Sequence, residues 1–273
     1  MRKSLWWNLL VGELSWKRMV RSLIFIYTCF ALYVFFRADS MIFLPQPASY
    51  QDSDEILKIS VSPTEQISAI DLPNPTAAYT VLYIHGNAED LGMIRPVLER
   101  IHQWGFRVFS YDYRGYGTSD GRPSERNAYQ DAEAAYTYLT QQLNIPPNRI
   151  IVYGRSVGGG SATELATRYP VAGLILESTF TSAFRVVVPF PLLPFDKFPN
   201  LAKLSEVNCP VLVIHGKADQ TIPIEHGKAL FESAKEPKLS LWVEDAEHND
   251  VMWIAGDRHQ QALATFQKLI QQN

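Results

Sequence analysis

From residue 41 onward, short unbroken apolar runs alternate with longer helical stretches. The runs at 56–61, 67–72, 81–85, 107–111, 150–153, 174–176, 211–214 and 239–243 are rich in Val, Ile, Leu and Tyr. Several lack the in–out alternation of a half-exposed strand and read as strands covered on both faces. Helices are predicted at 91–104, 124–143, 157–169, 224–234 and 258–271. Ser124 stands where an N-cap belongs, with Asn127 where a capping box would carry Glu. Regular β-α alternation implies one α/β domain over 41–273, with a mostly parallel sheet and helices on both faces.

Residues 181–207 break this pattern. They hold Pro189, Pro191, Pro194 and Pro199 among Phe184, Phe190, Phe195 and Phe198. Prolines at that density forbid a long helix, and that many aromatics need something to cover. Two readings stand: a loop packed on the core, or a cap-like insertion over a pocket lined by Phe184, Phe190 and Phe195.

A different pattern precedes the domain. Residues 22–36 carry no charge, and as a helix they would span about 22 Å against a hydrocarbon core of about 30 Å. Arg21 and Arg37 could snorkel, Met19 and Val20 could lengthen the span, and Trp6, Trp7 and Trp16 stand where interfacial anchors would. The favoured reading of residues 1–40 is a basic segment followed by a single membrane helix, with residues 20–37 in the bilayer. A cleaved signal peptide with an Ala38-Asp39-Ser40 site, and a helix buried in or lying on a soluble protein, are the alternatives. Five Lys/Arg precede the span and Arg37 follows it, an asymmetry that puts the body on the non-cytoplasmic side.

Charge divides along the same line. The net charge is −3, yet residues 1–40 carry +4, which leaves −7 for the body. An acidic body lacks the basic face that nucleic acid requires. Two cysteines, Cys29 and Cys209, make neither a disulfide scaffold nor a thiolate metal cluster.

Candidate chemistry begins at Gly154-Arg155-Ser156-Val157-Gly158, a G-x-S-x-G pattern. The apolar run RIIVY precedes it and a helical stretch follows, the strand–turn–helix setting of a nucleophilic serine. Neither dinucleotide nor P-loop spacing is present. A serine hydroxyl needs a base. Of the six histidines, His85 and His215 end strands in H-G pairs and read as backbone-shaping; His102, His226 and His259 fall on predicted helices. His248 lies in a polar loop between the last strand and the last helix, in the order Ser…Asp…His. Asp219, just past a strand, is the favoured acid, and Glu177, one strand earlier, is the runner-up. The oxyanion donors expected are the backbone N–H groups of Val157 and of Asn87 in the turn His85-Gly86-Asn87-Ala88.

Ile42-Phe43-Leu44-Pro45, YIHGNAEDL at 83–91, YDYRGYGTSDGRP at 111–123, YGRSVGG at 153–159, LESTFTS at 176–182, PVLVIHGKADQTIP at 210–223 and EHND at 247–250 together carry a family resemblance. Residues 41–273 resemble the α/β-hydrolase superfamily, and its membrane-anchored branch of bud-emergence-type hydrolases and protein depalmitoylases in particular. The resemblance implies an α/β-hydrolase fold with an eight-stranded sheet, a triad of Ser156, Asp219 and His248, and acyl transfer on an ester or thioester. Depalmitoylase-like members carry an N-terminal cysteine cluster, whereas only Cys29 lies near this N-terminus.

The expectation is therefore a membrane-anchored serine hydrolase acting on a small-molecule or lipid acyl substrate, without metal or organic cofactor. A serine-aminopeptidase-type peptidase, with Glu125 or Asp120 binding a free amine, and a non-catalytic binding domain on the same fold are the alternatives.

Overall fold

Strands whose every residue is apolar have no solvent-facing side, so they must sit in the middle of a sheet. In the computed structural model, which describes residues 16–272, the fully buried strands β3 (Thr80–Ile84), β5 (Ile150–Arg155), β6 (Gly173–Glu177) and β7 (Val211–Gly216) are adjacent and central. Around them lie β1 (Leu57–Ser60), β2 (Gln66–Leu72), β4 (Arg107–Tyr111) and β8 (Lys238–Val243), giving an eight-stranded sheet of order β1-β2-β4-β3-β5-β6-β7-β8. β1 and β2 pair antiparallel, as do β2 and β4, and every other pairing is parallel. All eight strands are those expected from the apolar runs.

Period-two alternation sends neighbouring residues of each central strand into opposite cores. On one face Leu82, Val152, Leu174 and Val213 pack with Ala132 of α3 (Glu125–Thr137) and Leu165 of α4 (Gly158–Arg168). On the other, Val81, Ile151, Ile175 and Leu212 pack with Ile94 and Leu98 of α2 (Leu91–Gln103), and with Leu263 and Phe266 of α8 (Asp257–Gln271). Ser124 caps α3 by accepting the Asn127 N–H at 3.1 Å. The helix expected over 124–143 gives way at its end to a π-turn, Tyr138–Gln142. Helix α6 (Ile224–Ser233) completes the longer elements.

Residues 181–207 contain no long helix, only a 3-10 turn, Ala183–Val186, and α5 (Asn200–Leu204), which starts just after the last proline. Its aromatics fall into two environments. Phe198 is fully buried, with its ring 5.9 Å from Phe43 and 5.5 Å from Tyr129. Phe184 and Phe195 meet edge to face at 6.0 Å, while Phe190 remains 58% exposed.

The chain divides into two units at Met41 and Ile42. The described part of the first is α1 (Trp16–Ile42), a helix of 27 residues with a mean hydropathy of 1.9 over its most apolar window. At about 1.5 Å per residue it is long enough to cross a bilayer, because it runs past both ends of the charge-free stretch 22–36. Arg2, Lys3, Trp6, Trp7 and Glu13 lie outside the described residues.

Candidate active site

β5 ends in Gly154 and Arg155, and the chain then turns sharply into α4. Ser156 occupies the turn at φ +52°, a left-handed conformation that costs a non-glycine residue about 1–3 kcal/mol. The turn is held by the Ser156 N–H donating to Glu177 O at 2.9 Å and by Thr179 Oγ1 donating to Ser156 O at 2.6 Å. It packs so closely on β3 that a Cβ on Gly158 would stand 2.1 Å from Ile84 O. The glycine is therefore required by contact, not only by flexibility.

His248 follows β8, in the loop before α7 (Val251–Ala255). Its Nε2 lies 3.0 Å from Ser156 Oγ, and its Nδ1 lies 2.8 Å from Asp219 Oδ2. A carboxylate only accepts, so Nδ1 carries the proton and Nε2 is left to accept from the serine hydroxyl. Asp219 sits in the loop after β7, where its Oδ1 accepts the N–H groups of Thr221 at 2.9 Å and Ile222 at 2.7 Å. Burial opposes its ionisation. Hydrogen bonds from His215, His248 and the Ile222 N–H outweigh that cost, and the carboxyl is held below the usual carboxylate range.

His215, expected only to shape the backbone, does more. It is fully buried, donates through Nε2 to Ile222 O at 2.8 Å and stands 3.4 Å from Asp219 Oδ2. It thus fixes the loop that carries Asp219 and touches Asp219 itself. The structure keeps Glu177 apart from His248: its side chain accepts from Tyr153 OH and faces His259 Nε2 at 3.7 Å.

Asn87 uses its whole side chain to brace the turn after β3. Oδ1 accepts from the Leu44 N–H, Tyr116 OH and the Ala88 N–H at 2.9, 2.6 and 2.9 Å, and Nδ2 donates to Ile42 O at 2.6 Å. Among the described residues neither the Asn87 N–H nor the Val157 N–H has a hydrogen-bond acceptor. Glu125 accepts from the Phe198 N–H and Tyr129 OH and pairs with Lys197 at 3.4 Å, while Asp120 accepts the Gln66 N–H at 2.9 Å. Among the described residues no cluster of three His, Cys, Asp or Glu is arranged to hold a metal ion.

The family model described as serine aminopeptidase, S33, matches residues 75–198. Alpha/beta hydrolase domain-containing protein 17B of Homo sapiens is 45% identical over 181 residues, which are 65% of this chain and 63% of that protein. Its Xenopus laevis counterpart is 46% identical over 180 residues, covering 65% of this chain and 62% of the relative. The chain has the α/β-hydrolase fold and is similar to members of that superfamily. It spans under two thirds of the length of these curated relatives. The fold is also that of the Pyrococcus furiosus esterase Pf2001, with a TM-score of 0.69 and 19% identity over 83% of this chain and 100% of that one. A Paleococcus ferrophilus monoacylglycerol lipase aligns with a TM-score of 0.59 and 19% identity, over 76% and 99% of the two chains.

Proposed function

We propose that this α/β-hydrolase cleaves an acyl ester or thioester through an acyl-enzyme intermediate. The observation that carries the reading is the unbroken hydrogen-bond chain Ser156–His248–Asp219, with Ser156 on a left-handed turn at a strand end. His248 Nε2 takes the Ser156 proton as Oγ attacks the acyl carbon, and the carbonyl electrons move onto oxygen. The Asn87 and Val157 N–H groups, free of other acceptors, donate to that oxyanion. As the tetrahedral intermediate collapses, His248 returns the proton to the departing alkoxide or thiolate. A water, deprotonated by the same ring, then frees the acid and restores Ser156. Asp219 holds the ring in the tautomer these steps need.

The likeness to protein 17B relatives and the motif set at 83–91, 111–123 and 153–159 support an acyl substrate. Of the carboxylates the serine aminopeptidase reading would use for the substrate amine, Glu125 is engaged by the Phe198 N–H, Tyr129 OH and Lys197, while Asp120 gives only Oδ2 to the Gln66 N–H. A non-catalytic domain would have no reason to keep Ser156, His248 and Asp219 in contact. Helix α1 is read as the membrane anchor, and the five Lys/Arg before its charge-free stretch 22–36 support a body on the non-cytoplasmic side.

The test is covalent labelling of the full-length protein with a fluorophosphonate, followed by kcat/KM on acyl esters of increasing chain length. Labelling is lost in Ser156→Ala; its persistence there overturns the nucleophile. If Phe184 and Phe195 line the acyl site, four added methylenes raise kcat/KM up to about 200-fold. Phe195→Ala then reduces that gain more than Phe190→Ala. A preference for acetyl that neither substitution changes would leave residues 181–207 as packing.

A further inference from the structure

The residue before the nucleophile takes no part in these steps, yet it is placed where a charge is hardest to keep. Arg155 is 6% exposed, and a buried guanidinium is tolerated only when its donors are used. Nη1 donates to Glu89 Oε1. Nη2 donates to Asn249 Oδ1 at 2.6 Å and to the His248 carbonyl at 3.4 Å, and Nε faces Glu177 Oε1 at 3.7 Å. Through its other oxygen Glu89 accepts the Gly86 N–H at 2.9 Å. The arms of one side chain therefore end on the turn that carries Asn87 and on the loop that carries His248, and its own backbone carries Ser156.

Backbone hydrogen bonds do not do this work. The end of β8 and the loop after it are tied to the β7 side, where Lys217 N–H donates to Val243 O and Ala218 N–H to Ala246 O. Among the described residues no backbone hydrogen bond joins residues 244–250 to residues 153–158. Apart from the Ser156–His248 contact itself, the hydrogen bonds between the two come from Arg155.

We propose that Arg155 is a positioning residue that holds the His248–Asn249 loop and the Gly86–Glu89 turn in register with Ser156. The proposal rests on the Ser156–His248–Asp219 reading. A planar fork suits the task, because it reaches Glu89 and Asn249 in two fixed directions; a lysine offers one point charge and cannot bridge both. A reacting group displaced by about 1 Å loses about 10²-fold in rate.

The experiment compares full-length wild type, Ser156→Ala, Asn249→Ala, Asn249→Asp and Arg155→Lys on one short-chain ester, with fluorophosphonate labelling rates and Tm measured in parallel. Asn249 is exposed, so its variants keep the fold. Asn249→Ala is expected to lose about 10- to 100-fold in kcat with KM little changed and Tm at the wild-type value, and its labelling slows in step. Asn249→Asp keeps an acceptor for Nη2 and recovers most of the rate. Arg155→Lys loses at least as much as Asn249→Ala, and adding Asn249→Ala to it costs little more, since both break the same link. Wild-type kcat in Asn249→Ala, or equal losses in Asn249→Ala and Asn249→Asp, overturns the proposal. So does a loss in Arg155→Lys that only follows the folded fraction. Hydrolysis surviving in Ser156→Ala instead overturns the triad reading on which the proposal stands.

Discussion

Two carboxylate–histidine pairs stand at neighbouring strand ends, and they differ in what surrounds them. Asp219 follows β7 and meets His248, whose side chain keeps 13% of its surface exposed and faces Ser156 Oγ. Glu177 ends β6 and faces His259, which has no exposed surface. The third member there is Tyr153 OH, 3.0 Å from His259 Nε2. Burial pushes the His259 ring's pKa down, with Glu177 only partly opposing it, and pushes the Tyr153 phenol up. Trp104 packs on the same ring at 5.4 Å. The residue types match, but the second group is closed to substrate and offers a phenol that holds its proton. Acid–base chemistry therefore follows from exposure and from the hydroxyl presented, rather than from a carboxylate and an imidazole being adjacent.

The largest expected effect separates the two histidines. His248→Ala and Ser156→Ala each lower ester turnover by about 10⁶-fold, whereas His259→Gln leaves turnover of the folded protein near wild type. Comparable losses at both histidines would erase the distinction. The acids come next: Asp219→Asn is expected to cost about 10⁴-fold in kcat by favouring the wrong tautomer. Glu177→Gln acts mainly on stability, by about 1–3 kcal/mol in denaturant unfolding, through the buried Tyr153 and Arg155 groups it leaves underpaired. The reverse ranking in turnover would move the role to Glu177.

The smallest effect is in the pH dependence of stability, and it differs between the pairs. Asp219 has a folded pKa below its unfolded value, so its contribution is present above about pH 4 and is lost as pH falls through the folded value. His259 is also depressed, but from a histidine's starting point. It stays neutral in the folded protein while the unfolded chain binds a proton, so stability falls as pH drops below about 6.5. Urea unfolding of the full chain across this range should lose the upper slope in His259→Gln and the lower slope in Asp219→Asn. An unchanged upper slope in His259→Gln would mean that the ring titrates alike in both states.

Sequence alone goes far where structure is local. Runs such as VLYI, IIVY and VLVI declare central strands because both faces are apolar, and a G-x-S-x-G turn between strand and helix declares its own geometry. Phe198 reads like its neighbours Phe184 and Phe195 yet belongs to the core, since only the fold brings Phe43 and Tyr129 to it. His215 and His259 carry no local sign of the carboxylates they face. The Arg155 links to Glu89 and Asn249 cross 66 and 94 residues of sequence, and no spacing rule spans such a gap. The short helices at Asn200–Leu204 and Val251–Ala255 are too brief for periodicity to reveal.

The strand order has a consequence for when the protein becomes reactive. The turn bearing Asn87 and the turn bearing Ser156 both belong to the centre of the sheet, while Asp219 and His248 follow β7 and β8 at one edge. During synthesis, which runs from the N-terminus, the ribosome releases Ser156 and the Asn87 turn long before Asp219 and His248. A partly made chain can thus hold a nearly finished central sheet while its hydroxyl remains an ordinary alcohol. On the Ser156–His248–Asp219 reading, the site is assembled only once β7 and β8 have closed that edge of the sheet.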